Sequence, residues 1–281
     1  MIAAAAIASE VARAIPAIAT SLRHDVLAAM QRALDQEPSA RARSVLEQLI
    51  ENAGIAACDA VPLCQDTGTV WVWVELGQGE CIEGDLQAAI DAAVADSYSR
   101  AGLRMSVVAD ALLDRTNTGD NTPAFVDVTY RPGAGATVHV MLKGGGSDNA
   151  SAVVMLDPSA GEDGILDAVV AAVRAKAAGA CPPLVIGVGV GGTFDSVGKL
   201  AKKALLRPID VSAADERLAD FERRLLEAVN ATGIGPAGLG GRTTALAVSV
   251  VTAPCHIAAL PVAINLGCSA ARSASFQIGP A

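Results

Sequence analysis

Aromatic side chains are scarce in this sequence, only 3% of 281 residues, so any core must be assembled from Ala, Val, Leu and Ile. A basic face is missing too, because the formal net charge is −9. Nucleic-acid and anionic-membrane partners both need clustered cations, so this balance argues against them while leaving room for a local basic pocket around an anionic substrate. No transmembrane segment is expected: Met1–Ile7 is apolar but has no basic flank, and Glu10, Arg13 and Pro16 interrupt the run beyond it. The six cysteines (Cys58, Cys64, Cys81, Cys181, Cys255 and Cys268) lack the dense spacing of a secreted disulfide framework. Free thiols or metal ligands in a cytoplasmic protein are the reading.

The polar and glycine residues concentrate in a few stretches. Residues 3–57 carry helical periodicity, with Val26, Leu27, Met30 and Leu34 at turn spacing, a break at Glu37–Pro38, and Ser39 capping a further helix to Glu51. The stretch Val61-Pro-Leu-Cys-Gln-Asp-Thr-Gly-Thr69 then packs a thiol, an amide, a carboxylate and two hydroxyls into six residues before the strand-like run to Leu76. A thiolate there can ligate metal, Gln65 can orient a polar ligand, and Asp66 can move a proton. A polar turn before a strand is the bland alternative.

A helix is expected from about Gly84 to Arg100, and a strand from Arg104. The loop Asp114–Pro123 has almost no apolar residue and reads as a solvated turn or the wall of a polar site. Ala124–Tyr130 and Thr137–Leu142 read as a hairpin pair. They lead into Lys143-Gly-Gly-Gly-Ser-Asp-Asn149, whose backbone N–H groups suit an anion unless the segment is merely a flexible tip. After a helix at about 164–178 comes Cys181-Pro-Pro, then a formal Gly-x-Gly-x-x-Gly at Gly187, Gly189 and Gly192. A dinucleotide site is the rival on pattern, weakened by the absence of a regular βαβ series. A P-loop is excluded because Leu200 follows Lys199 and the glycine spacing is wrong. A charged helix at 213–230, a strand at 245–252 and a short disordered tail complete the reading.

Cys64, Cys181 and Cys268 each stand beside Pro, Gly or a polar residue at the edge of a strand or loop. Their separations far exceed zinc-knuckle or ferredoxin spacings, so only the fold could gather them. Three thiolates on a four-iron cluster would leave one iron without a protein ligand, able to act as a Lewis acid. On spacing alone, three unrelated buried cysteines is the more economical reading.

Several segments stand together in one order: Cys64-Gln-Asp-Thr-Gly, Asn117-Thr-Gly-Asp-Asn-Thr-Pro-Ala124, Lys143-Gly-Gly-Gly-Ser, Cys181-Pro-Pro, Gly233-Ile-Gly-Pro with Gly240-Gly-Arg-Thr-Thr, and Pro254-Cys-His-Ile-Ala-Ala-Leu-Pro-Val-Ala-Ile-Asn before Cys268-Ser-Ala-Ala-Arg272. From about residue 40 to 275 the chain resembles the iron–sulfur hydro-lyases, class I fumarases and L-tartrate dehydratases, in their α subunit or N-terminal half. The resemblance implies an α/β fold, with N-terminal helices followed by mixed β-sheet layers flanked by helices. It implies a single α-type domain over 1–281, helical to residue 57 and α/β with the cluster cysteines from 58 onward. Cys64, Cys181 and Cys268 match the ligands of an oxygen-sensitive 4Fe-4S cluster. Gln65, Asp66 and Arg104 match positions that contact substrate, Gly146 and Asn149 fall on the glycine loop around it, and His256 matches an active-site histidine.

Asp66 and His256 are thus the catalytic candidates. Ser269 departs from the family pattern, where a bulky or imidazole residue often follows the last cysteine. The family's β part is absent, so a β subunit is expected, in an α2β2 or α-dimeric assembly. The implied reaction is reversible dehydration of a small 2-hydroxy-dicarboxylate, fumarate/malate or tartrate/oxaloacetate. A hydratase of a related acid such as mesaconate, a nucleotide-binding oxidoreductase and a cluster-bearing regulatory protein are the alternatives.

Overall fold

In a computed structural model, residues 1–279 are described. In chain order the elements are β1 (Ile2–Ala3), α1 (Ala4–Thr20), α2 (His24–Gln36), α3 (Ala40–Asp59), β2 (Thr69–Gly77), β3 (Ile82–Glu83), α4 (Leu86–Arg100), β4 (Phe125–Arg131) and β5 (Ala136–Lys143). There follow α5 (Gly145–Asn149), β6 (Ala152–Leu156), α6 (Gly161–Lys176), β7 (Leu184–Gly192), α7 (Val197–Ala204), α8 (Glu216–Asn230), β8 (Ala245–Cys255), β9 (Leu260–Gly267) and β10 (Ser273–Ile278). This is the expected mixed α/β architecture. Backbone contacts group it into two compact units, one built from Met1–Arg23, Ile55–Gly145 and the chain from Arg272, the other from His24–Gly54 and Gly146–Ala271.

The first unit is organised by β2. Its valines alternate, so Val70, Val72, Val74 and Leu76 form one apolar face and are buried against Ile7, Val11 and Ile15 of α1 and Ile90, Val94 and Tyr98 of α4. Trp71 and Trp73 occupy the opposite face, also buried, with ring centroids 5.5 Å apart in edge contact. Such a strand needs neighbours on both edges, and the sheet order is β10-β5-β2-β4. The expected β4–β5 hairpin is therefore not formed. β2 lies between the two, antiparallel to β5 and parallel to β4, while β4, with Phe125 and Tyr130 exposed, takes the edge. Asp85 caps α4 by accepting from the Ala88 N–H at 3.0 Å.

The strand expected from Arg104 is also absent. That segment makes only an isolated bridge, Val108 to Asn117, because its polar backbone groups are spent on Thr67 and Asn121. β10 pairs along β5 as far as Ile278, and of the short tail expected at the chain's end residues 280–281 lie outside the described residues. By length and composition the run Ala4–Gln36 could cross a membrane. It is broken at 21–23, and α1 spends its apolar face on the core.

In the second unit the sheet order is β6-β9-β7-β8, with β7 parallel to β8 and antiparallel to β9. Ile165, Val169 and Val173 of α6 and Phe221, Leu225 and Val229 of α8 are in one core cluster with the strands. The glycines of the nucleotide-like pattern have a packing task here. A Cβ on Gly187 would stand 2.1 Å from the Ala201 carbonyl oxygen, and one on Gly189 would stand 2.5 Å from that of Val197. They let α7 lie directly on β7, which accounts for the pattern without a dinucleotide. Gly187→Ala is expected to lower stability by roughly 1–3 kcal/mol through overpacking. Thermal unfolding checks this, and an unchanged Tm would contradict the close-approach assignment.

Candidate active site

In the first unit, the 61–69 stretch is a turn held from several sides at the entrance to β2. The Leu63 N–H donates to Ala19 O at 2.9 Å, and the Thr67 hydroxyl donates to Arg104 O at 2.7 Å. The Tyr98 hydroxyl, fully buried beneath, donates to Gly68 O at 2.9 Å and approaches Thr67 O at 3.2 Å. Burial is the largest cause pushing the Tyr98 pKa well above the usual phenol range, so the group stays a neutral donor. Asn121, also buried, bridges two segments: its Oδ1 accepts from Ser106 N–H at 2.7 Å and its Nδ2 donates to Gly68 O at 3.2 Å. Through Asn121 the polar loop at 114–123 is tied to this turn. Gly68 is needed twice over, since its φ is +81° and a Cβ would stand 2.6 Å from Lys143 O.

This packing fixes Asp66. One carboxylate oxygen accepts from Gly68 N–H at 3.1 Å, and the other accepts from Gly145 N–H at 2.8 Å. Gly145 of the Lys143-Gly-Gly-Gly run therefore does hold an anion through its N–H, and that anion is the protein's own carboxylate. A carboxylate has about four lone-pair positions, so both oxygens keep capacity toward a ligand. Gln65 is exposed beside it and accepts from the Cys64 thiol at 3.1 Å. Arg104 is exposed, anchored through its backbone carbonyl to Thr67.

In the second unit, Cys181 and Cys268 are brought to one end of the sheet. Val185 pairs with Gly267, and the Ser269 N–H donates to Cys181 O at 3.1 Å. Cys181 sits in the left-handed region at φ 56°, ψ 66°, a conformation that costs a non-glycine residue about 1 kcal/mol or more and persists only where its surroundings impose it. Gly146 stands near the turn preceding Cys181, with the Gly179 carbonyl 3.5 Å from where its Cβ would be. Asn149 is exposed, and its carbonyl accepts from Lys176 at 2.9 Å. His256 is elsewhere: exposed at the β8–β9 turn, its Nδ1 accepts from Ala258 N–H at 3.1 Å. β9 is 8 residues long, so His256 is about 25 Å from the Cys268 end.

None of the six cysteines is in a disulfide. Cys64 belongs to the first unit and Cys181 and Cys268 to the second. Within either unit, among the described residues, no group of three or more His, Cys, Asp or Glu side chains is gathered as a metal site.

Sequence reasoning did not single out Tyr98 and Asn121, which bond to the turn, or the buried Arg272. Arg272 is buried, and its Nε and Nη1 have no hydrogen-bond partner among the described residues. Its place at the end of Cys268-Ser-Ala-Ala-Arg272 was the available signal, while Tyr98 lay unmarked in an amphipathic helix.

Residues 8–277 match the family described as fumarate hydratase (Fumerase). A candidate L(+)-tartrate dehydratase subunit alpha of Methanocaldococcus jannaschii is 38% identical over 264 residues, covering 92% of each chain. The L(+)-tartrate dehydratase subunit alpha of Escherichia coli UTI89 is 32% identical over 265 residues, covering 93% of this chain and 87% of the relative. The counterpart in E. coli K12 is 31% identical over the same length. With a turn that fixes Asp66 beside Cys64, and with a family match over nearly its whole length, the chain belongs to the fumarate hydratase family.

Proposed function

We propose that this chain is the α subunit of a hydro-lyase that reversibly dehydrates a small 2-hydroxy-dicarboxylate, of the fumarate/malate or tartrate/oxaloacetate type. The observation that carries the reading is Asp66, held at both oxygens by backbone N–H groups at the mouth of a rigid strand. Dehydration removes a proton from a carbon beside a carboxylate and expels hydroxide from the neighbouring carbon as the double bond forms. The proton needs a positioned base, and the charge developing on the substrate needs donors already aimed at it. Asp66 is the base or part of its relay. Gln65 and Arg104, both exposed beside the turn, orient the substrate's polar groups, and Gly146 and Asn149 line the glycine loop around it. His256 is assigned an active-site role on its motif alone; its Nδ1 is occupied by Ala258 N–H, which leaves Nε2 for a ligand.

The donor set fits an iron–sulfur cluster in its chemistry. Cys64, Cys181 and Cys268 are thiols outside any disulfide at strand ends, two of them tied together through Cys181 O and Ser269 N–H. These three would hold a 4Fe-4S cluster, which supplies Lewis acidity toward a departing hydroxyl when bound. The relatives' designation as α subunits supports a β subunit that completes the site. An α2β2 or α-dimeric assembly in the cytoplasm is part of the proposal. Anaerobic assay of the chain alone and co-purified with a β subunit tests the reading, with L-tartrate, L-malate and fumarate as substrates. Turnover only in the complex is expected. Turnover by the isolated chain would overturn the β-subunit requirement, and stoichiometric NADH binding without any hydration would favour the oxidoreductase alternative.

A further inference from the structure

Arg272 is 3% exposed, yet among the described residues its Nε and Nη1 lack any hydrogen-bond partner, and no carboxylate pairs with the guanidinium within ion-pair distance. A buried charge left unpaired costs several kcal/mol, so such a group is retained where an anion arrives to pair with it. The space beside it is specific. A Cβ on Gly144 would stand 3.5 Å from Arg272 Nη2 and 3.0 Å from Asp66 Oδ2. With no side chain of its own, Gly144 has a guanidinium on one side and the proposed base on the other, close enough that a Cβ would already crowd the base. The buried Tyr98 hydroxyl senses both groups, the guanidinium favouring its ionisation and the Asp66 carboxylate opposing it. All four residues belong to the first unit.

We propose that Arg272 binds one carboxylate of the substrate over Gly144, making it a specificity-determining residue for dicarboxylates. The choice of substrate class rests on the hydro-lyase reading. A carboxylate reaching the guanidinium meets Nη2, the nitrogen that is not among its buried unpartnered atoms, in a charge-assisted hydrogen bond. The adjoining carbon, which carries the proton to be removed, then lies on the Asp66 side. A substrate carboxylate on the Asp66 side would instead meet like charge, so the seat has one orientation.

The test uses the αβ complex and succinate, a dicarboxylate with no hydroxyl to lose, against propionate, its monocarboxylate counterpart, with binding followed by calorimetry. Wild type is expected to prefer succinate. Arg272→Gln is expected to weaken succinate binding by about tenfold or more while leaving propionate little changed. Gly144→Ala, which keeps the guanidinium but places a methyl between it and the carboxylate, is expected to do the same in folded protein. Gly144 has no positive φ, so the backbone accepts alanine, while Asp66 must give by a few tenths of an ångström to admit a Cβ 3.0 Å from its Oδ2. Succinate affinity within twofold of wild type in folded Arg272→Gln would overturn the proposal, as would undiminished succinate binding by Gly144→Ala or no succinate preference in wild type. If Arg272→Gln does not fold, Gly144→Ala decides. Succinate binding that depends on Arg272 in a complex that dehydrates nothing would retire the lyase reading and keep the seat. Turnover with an unchanged KM in Arg272→Gln would do the reverse.

Discussion

Cys64→Ser, Cys181→Ser and Cys268→Ser should each yield folded protein that fails to assemble a cluster, whereas Cys58→Ser and Cys81→Ser should retain it. Serine is nearly isosteric with cysteine but a poor ligand for iron in a sulfide cluster. The contrast rests on placement: Cys181 and Cys268 are drawn together by the Ser269-to-Cys181 hydrogen bond, and Cys64 opens the turn that carries Asp66. Cys58, in α3, and Cys81, just before β3, are exposed and share neither feature. Iron and acid-labile sulfide analysis of the five variants after anaerobic purification checks this. A cluster lost in Cys58→Ser but kept in Cys64→Ser would show that the ligand set is wrong.

Asp66→Asn carries the second large effect. The amide can still accept from Gly145 N–H or Gly68 N–H, so the turn should keep its path, but it cannot take a proton. Turnover of the αβ complex should fall by roughly two orders of magnitude or more, with visible absorbance and Tm close to wild type. Since the lost interaction belongs to the proton-transfer step, kcat should fall more than KM rises. Wild-type turnover would remove Asp66 from the mechanism.

The family of this molecule was more legible in sequence than its topology. Short motifs such as Cys64-Gln-Asp-Thr-Gly, standing in one order along the chain, identify the family directly. Strand pairing is different. β4 and β5 are successive and separated by a short turn, so a hairpin is the local expectation, but the doubly buried β2 needs partners on both edges and displaces it. The nucleotide-like glycines show the same limit: Gly187 and Gly189 answer to α7, a contact made with residues further down the chain. The glycine run after Lys143 read equally as an anion site or a flexible tip, and nothing local showed that Gly145 N–H would meet Asp66. Nor could spacing reveal the unpaired Arg272, because an unsatisfied buried charge is a property of packing alone.

Iron and sulfide content with the visible spectrum, on wild-type protein purified without oxygen, tests the central claim most directly. The account predicts about four irons and four sulfides per chain and absorbance that bleaches in air. Protein that stays folded and iron-free after anaerobic reconstitution would contradict it, and would mean that Cys64, Cys181 and Cys268 are not ligands in this chain.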